Sequence, residues 1–287
     1  RNLPLEQAWT PPSAWYQSSA MAEFERQHVF PSSWQLVGRA TQVSEPGSYI
    51  SGCFAGEPWV VVRGNDRTLR AFYNVCRHKG REVVTGEGSA QQLVCGYHAW
   101  RYDLDGQLRS APRMAGIQNF AREEMGLKPM SVSCWGPWVF IRQDGDGSSL
   151  SQGFPEVDNT VEQSGWEQLR FAGRKSWIIE CNWKVYVDNY LDGGYHIPHM
   201  HPSLNAQIDM TSYRTETYAR SSMQSCSPGE VGTSSTDRAR ALRIGERAIY
   251  AWLYPNFMLN RYGPCLDSNH VVPLGPTRCR VDYEFFF

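Results

Sequence analysis

The stretch CRHKGREVVTGEGSAQQLVCGYHAW, residues 76–100, places a Cys-x-His pair (Cys76, His78) sixteen residues before a Cys-x-x-His pair (Cys95, His98). Each pair follows a short run rich in β-branched and aromatic residues, AFYNV before the first and QQLV before the second. Such runs read as strands, and their glycine-bearing ends as turns. Two turn tips, each with one thiolate and one imidazole, can close on a common object. A tetrahedral zinc suits that donor set. So does a two-iron, two-sulfide cluster with the cysteines on one iron and the histidines on the other.

Outward from that stretch the β texture persists. WQLVGRA, WVVVRG, LRAFYNV, QQLVCGY and WVFIRQ alternate with turns between Trp34 and Arg142, and GNDRT (64–68) and DLDGQL (103–108) read as hairpin turns. The spacing predicts a small antiparallel β domain over 34–145. Before it, AWYQSSAMAEFERQHVF (14–30) has helical spacing and ends at Pro31, which makes residues 1–33 a helical segment expected to pack on a later domain. After it, DGDGSSLSQG (144–153) is a polar linker. A second domain opens at 155 and runs to 287. In it IIECNWKVYVDNYLDGGYH reads as a strand feeding a helix that breaks near Pro198. Further strands follow (AIYAWLYP, CRVDYEFFF), and 221–240 is expected to be a long polar loop. The strand pattern runs up to Phe287, so the C-terminal part of this domain is expected to lie beyond the chain.

The composition narrows the class. The chain has 287 residues, 41% hydrophobic and 20% charged, with a net charge of −1, which gives no footprint for nucleic acid or an anionic membrane surface. No apolar run reaches the length of a membrane span. The eight cysteines are scattered in a chain long enough to build its own core, which favours free thiols and metal ligands over a disulfide framework.

A second constellation lies in DNYLDGGYHIPHMHP, residues 188–202, with His196, His199 and His201. Two histidines and a carboxylate form the facial triad that leaves coordination positions open on a non-haem iron. Zinc knuckles group like ligands together, whereas each arm of the first constellation mixes one cysteine with one histidine. That mixture, with Tyr97 and Trp100 nearby, resembles the Rieske signature, although Ala99 stands where the family usually has glycine. NYLDGGYHIPHMH is similar to the motif Asn-x-x-Asp/Glu-x-x-His-x4-His of Rieske-type ring-hydroxylating oxygenase α-subunits.

The resemblance covers nearly the whole chain and implies the following. The fold is α+β: an N-terminal all-β Rieske [2Fe-2S] domain, then a catalytic domain whose antiparallel sheet is flanked by helices, of helix-grip type. Cys76, His78, Cys95 and His98 hold the cluster, and His196 and His201 hold a mononuclear Fe(II). Asn189 opens the motif. Asp192, four residues before His196 and on its helical face, is the carboxylate linking the two centres, with Asp188 in reserve. His199 is a pocket or surface residue. The family's third iron ligand is a distant aspartate. Asp267 and Asp282 stand in strand or turn contexts that do not match it, so none is assigned.

Three stretches, NWKVYVDNYLDGGYHIP, LYPNFMLNRYGP and VVPLGPTRCRVDYEFF, resemble the branch of the family formed by choline monooxygenases and their relatives. A quaternary ammonium has no N–H to donate, so aromatic faces must hold it; Tyr195, Trp252, Tyr254, Phe257 and Tyr262 are the candidates. The resemblance implies choline, carnitine or glycine betaine as substrate, O2 as co-substrate, electrons from reduced ferredoxin or a reductase, and a head-to-tail homotrimer. It also implies the chloroplast stroma in a plant or alga and the cytoplasm otherwise. A Rieske electron-transfer protein with no oxygenase activity of its own is the other reading; the His196–His201 pair argues against it.

Overall fold

The structure, a computed structural model, describes residues 4–114, 116–145, 149–229 and 247–287. The chain forms two compact units, Arg26–Gly153 and Arg1–Glu25 with Phe154–Phe287.

The N-terminal helix expected over 14–30 forms as two short ones, α1 (Ala14–Gln17) and α2 (Ser19–Phe24), the second continued by a π-helical turn over Glu25–Val29. Ser18 parts them: its backbone is extended and its hydroxyl caps the Met21 N–H. The chain up to Glu25 belongs to the C-terminal unit, where the buried Glu25 carboxylate accepts from Trp183 Nε1 (2.8 Å) and Lys184 Nζ (2.5 Å).

The unit Arg26–Gly153 carries ten strands: β1 (Gln35–Arg39), β2 (Ser48–Phe54), β3 (Glu57–Arg63), β4 (Leu69–Tyr73), β5 (Glu87–Ser89), β6 (Leu93–Val94), β7 (Arg101–Tyr102), β8 (Leu108–Ser110), β9 (Pro129–Trp135) and β10 (Trp138–Arg142). A seven-stranded sheet runs β1-β10-β9-β4-β3-β2-β5, and β6-β7-β8 form a small second sheet. Val60, Val61 and Val62 are all fully buried, so both faces of β3 are covered, which explains its unbroken apolar run. Both expected hairpin turns form: Gly64 N–H bonds Thr68 O, and Asp103 N–H bonds Gln107 O. The expected linker ends in a helical turn, α3 (Leu150–Gly153); residues 146–148 of it lie outside the described residues.

The C-terminal unit holds α4 (Pro155–Glu162), β11 (Phe171–Ile179), α5 (Trp183–Leu191), α6 (Ile197–Met200), α7 (Pro202–Asn205), β12 (Arg214–Thr217), β13 (Ser221–Cys226), β14 (Ala248–Leu253), β15 (Phe257–Tyr262), β16 (Cys265–Gly275) and β17 (Arg278–Phe286). Its sheet, β11-β17-β16-β15-β14-β13-β12, is antiparallel throughout. Helix α5 lies against β16, where Tyr186 OH donates to Asn269 Oδ1 at 3.0 Å.

The long loop expected over 221–240 begins instead as a fully buried strand, β13. Its polar sequence, SSMQSC, hid it: Gln224 is buried with its hydrogen bonds made, so polarity here marks an internal polar face and not solvent. Residues 230–240 of that stretch lie outside the described residues.

Candidate metal centres

The two Cys-His tips are built alike. In each, a cysteine carbonyl accepts from the N–H four residues on, Gly80 N→Cys76 O and Ala99 N→Cys95 O, both 3.0 Å. The closing residue is left-handed in both, with φ +73° at Gly80 and +57° at Ala99. Glycine adopts that conformation without strain, whereas alanine costs about 1–2 kcal/mol. Ala99 therefore holds the backbone conformation that Gly80 holds in the first tip, at some expense in stability. The first tip is fastened from below by the buried Asn74, whose Oδ1 accepts from Val83 and Val84 N–H and whose Nδ2 donates to Val84 O.

The four expected ligands come together. Cys76 and Cys95 are buried free thiols, and the imidazoles of His78 and His98 lie 4.6 Å apart, centre to centre. The indole of Trp100 stacks on His78 at 5.0 Å and 4°. Nδ1 of His78 is buried with no hydrogen-bond partner, as a nitrogen that serves a metal must be. Desolvation first, and His98 next, hold the His78 pKa below its usual value, which keeps the ring neutral as ligation requires. Among the described residues no three His, Cys, Asp or Glu side chains gather around a single point. The two imidazoles lie together and the Cys76 thiol neighbours that of Cys95, so like donors pair across the two tips, an arrangement that suits two irons with two protein ligands each. Sequence reasoning missed Tyr102. Its hydroxyl lies 3.4 Å from Cys76 Sγ and accepts the Arg77 N–H at 2.9 Å, so it orients both the ligand and its loop.

The second site grows from the end of α5. Asn182 starts that helix by accepting the Lys184 N–H on its side chain, while donating to Pro276 O at 2.6 Å. The helix ends at Leu191 because Gly193 is left-handed (φ +63°). A Cβ there would also stand 2.9 Å from Gln224 Oε1, and one on Gly194 would stand 2.9 Å from Met210 Cε, so both glycines are needed for close approach. Pro198 does not break the helix as expected. It sits in the first turn of α6, where a proline is tolerated; the break is Gly193. His201 follows that short helix, and its ring centre lies 5.1 Å from that of His196.

Asp192 Oδ2 lies 3.2 Å from His196 Nδ1, within ion-pair distance but poorly aligned for a hydrogen bond. Asp188 is committed elsewhere, accepting the Tyr16 hydroxyl at 2.6 Å. His199 is exposed, with its N–H turned back to His196 O. No third ligand joins His196 and His201 among the described residues.

His196 and His201 open onto a cavity of about 200 Å³, walled by Asn189, Tyr190, Tyr213, Gln224, Tyr250 and Asn260 among others. None of the five aromatics expected to bind substrate lines it. Tyr195 is 84% exposed and Phe257 is 2% exposed within the sheet. Trp252 donates to Pro255 O, Tyr254 stacks with Arg220, and Tyr262 donates to Asp267. The tyrosines present are Tyr190, Tyr213 and Tyr250. Burial, first of all causes, raises the pKa of all three, so each remains a neutral phenol. Tyr190 OH is anchored on Leu259 O and Asn260 Oδ1, both 2.9 Å, and Tyr213 OH on Gln224 Oε1. The signal that could have found Tyr250 is strand alternation, since it shares a face of β14 with Trp252.

Comparison with known proteins identifies the two domains. Residues 33–121 match the Rieske [2Fe-2S] domain family, and residues 166–287 match the catalytic domain of ring-hydroxylating α-subunits. The chloroplastic choline monooxygenase of Arabidopsis thaliana is 41% identical over 99% of this chain and 69% of its own length. That of Beta vulgaris is 35% identical over 99% of this chain and 64% of its own, so the chain spans about two thirds of these relatives. A solved quaternary ammonium Rieske monooxygenase, described with carnitine oxidation and inter-subunit electron transfer, superposes with a TM-score of 0.83 at 29% identity, covering 98% of this chain and 76% of that one. The chain belongs to the Rieske-type ring-hydroxylating oxygenase α-subunit family. A [2Fe-2S] cluster in the first unit and a mononuclear iron in the second follow from the two domain matches.

Proposed function

We propose that the chain is the oxygenase component of a quaternary ammonium hydroxylase, with choline as the first substrate and carnitine or glycine betaine as alternatives. The observation that carries this reading is the cavity beside His196 and His201, walled by Tyr190, Tyr213 and Tyr250. Three neutral phenol rings suit a cation that cannot donate a hydrogen bond. The relatives named for choline and carnitine support the same class.

Cys76 and Cys95 would hold one iron of the cluster, His78 and His98 the other, and His196 and His201 the mononuclear iron. Once bound, these groups supply single electrons and oxygen activation. The residues of the chain do the rest. Trp100, stacked on His78, and Tyr102, at Cys76, fix the ligand geometry. Asp192, with Oδ2 3.2 Å from His196 Nδ1, would steady that ring as a ligand. Gly193 and Gly194 let the His196 loop approach Gln224 and Tyr213 closely, and this fixes the distance between the metal ligands and the tyrosine wall. Asn189 stands at the cavity mouth as a polar group able to orient a substrate hydroxyl.

Electrons would come from reduced ferredoxin or a reductase, in a head-to-tail homotrimer, in the chloroplast stroma of a plant or alga or otherwise in the cytoplasm. Among the described residues, no helix is long and apolar enough to cross a membrane. The test is turnover by the full chain, reconstituted with iron, sulfide and a ferredoxin system, against choline, carnitine, glycine betaine and an aromatic hydrocarbon. Hydroxylation of a trimethylammonium compound with matching O2 uptake is expected. Activity on the hydrocarbon alone would overturn the reading.

A further inference from the structure

Resting on that reading of the cavity, we propose that Asp267 supplies the negative charge by which the site selects a cationic substrate over a neutral one of the same shape. Strand register sets a row of side chains across the sheet. Gln224 on β13 stands opposite Tyr250 on β14, Tyr250 opposite Asn260 on β15, and Asn260 opposite Asp267 on β16. Residues directly opposed across antiparallel strands share one face of the sheet. Gln224, Tyr250 and Asn260 line the cavity, and Asp267 is the next residue in the same row.

Asp267 is 6% exposed. Its Oδ2 accepts from Asn260 Nδ2 at 2.6 Å and from Asn269 Nδ2 at 3.4 Å, and its Oδ1 accepts from Tyr262 OH at 2.6 Å. Each of these three groups donates. A carboxylate satisfies such a set, whereas a carboxylic acid would have to donate to one of them. The other end of the Asn260 amide accepts the Tyr190 hydroxyl at 2.9 Å, so the carboxylate is kept one side chain behind the wall. Its field still reaches the cavity: after burial, the Asp267 charge is the next largest cause raising the Tyr190 pKa.

The placement answers two requirements. A quaternary ammonium cannot accept or donate a hydrogen bond, so a carboxylate in direct contact would lose its own partners when the ligand arrived. A carboxylate facing His196 and His201 would compete for their metal. One layer back, Asp267 keeps its hydrogen bonds and still acts by charge through a low-dielectric wall, where Coulomb interactions are strongest.

The test measures binding of choline and of its uncharged carbon isostere, 3,3-dimethylbutan-1-ol, to iron-loaded enzyme by calorimetry. Wild type is expected to prefer choline. Asp267→Asn should weaken choline by about tenfold, or about 1.4 kcal/mol, and leave the isostere within twofold. Asp267→Glu keeps a carboxylate at the same position of the row, one side chain behind the wall. It should retain the preference for choline, and it keeps the proposal testable if Asp267→Asn does not fold. Equal losses for both ligands, a preference that survives Asp267→Asn, or a folded Asp267→Glu variant without the preference would each overturn the role of Asp267. A wild type with no preference for choline would instead overturn the reading of the cavity.

Discussion

Asp192 Oδ2 comes within 3.2 Å of His196 Nδ1 although no continuous helix joins the two residues. The helical register that suggested the contact ends at Leu191; the left-handed Gly193 and a tight turn over Gly193–Tyr195 deliver it by another route. Asp192→Asn should retain the cluster and weaken iron binding by about 10–100-fold, the usual effect of losing such a partner. At saturating iron, single-turnover electron transfer to the site should slow by orders of magnitude. Wild-type rates in that variant would reduce Asp192 to a surface charge.

His201 and His199 separate cleanly. His201 lines the cavity with His196, and His199 is exposed and does not line it. His201→Ala is expected to leave the visible spectrum of the cluster intact while the mononuclear iron and oxygenation are lost. His199→Ala should keep measurable activity. Iron analysis of both variants decides it, and an empty mononuclear site in His199→Ala would refute the ligand assignment.

Tyr102 bears on the cluster's potential. Once Cys76 is a metal thiolate, the hydroxyl 3.4 Å away can only donate to it, and hydrogen bonds to cluster sulfur favour the reduced state. Tyr102→Phe should therefore lower the midpoint potential, read by redox titration of the EPR signal, with acid-labile sulfide unchanged. Freshly purified protein with one zinc and no sulfide would remove the cluster altogether.

Ala99→Gly is expected to stabilise the Rieske unit by about 1 kcal/mol by relieving a left-handed alanine. Differential scanning calorimetry measures the gain. A loss of stability would mean that the alanine methyl contributes more than its strain costs.

His270 predicts an acid limit. Burial pushes its pKa down to about 4, from an ordinary value of 6.5. The unfolded chain thus binds a proton that the folded chain refuses between those two pH values, and stability falls as pH drops through that window. The loss should reach roughly 2–3 kcal/mol at pH 4, at about 1.4 kcal/mol per unit. His270→Gln should flatten the slope of denaturant stability between pH 6.5 and 4; an unchanged slope would assign the acid sensitivity to other groups.

What could be read from sequence was local. Cys76, His78, Cys95 and His98 stand within 23 residues, and their residue types narrow the bound object to a zinc or a two-iron cluster, between which the likeness to the Rieske signature chooses. His196 and His201 are likewise near neighbours. The cavity wall was not legible because it is assembled by register. Tyr213, Gln224, Tyr250 and Asn260 come from separate segments of the chain and meet only when β13, β14 and β15 pair. Aromatic content alone then points as readily to Phe257, a core residue, as to Tyr250. The strand β13 escaped notice for a related reason: a strand whose polar side chains are buried and hydrogen-bonded inside the fold carries the composition of a loop.

The row Gln224–Tyr250–Asn260–Asp267 also acts as a ruler. Adjacent strands lie about 4.8 Å apart, so its three intervals span about 14 Å at right angles to the strands, and hydrogen bonding between strands fixes every graduation. Substrate length can then be reset one mark at a time. Shortening Gln224 would extend the cavity at the end away from Asp267, and enlarging it would close that end. A scaffold of this kind lets related enzymes diverge in the length of the ammonium compound they accept while the iron chemistry stays the same.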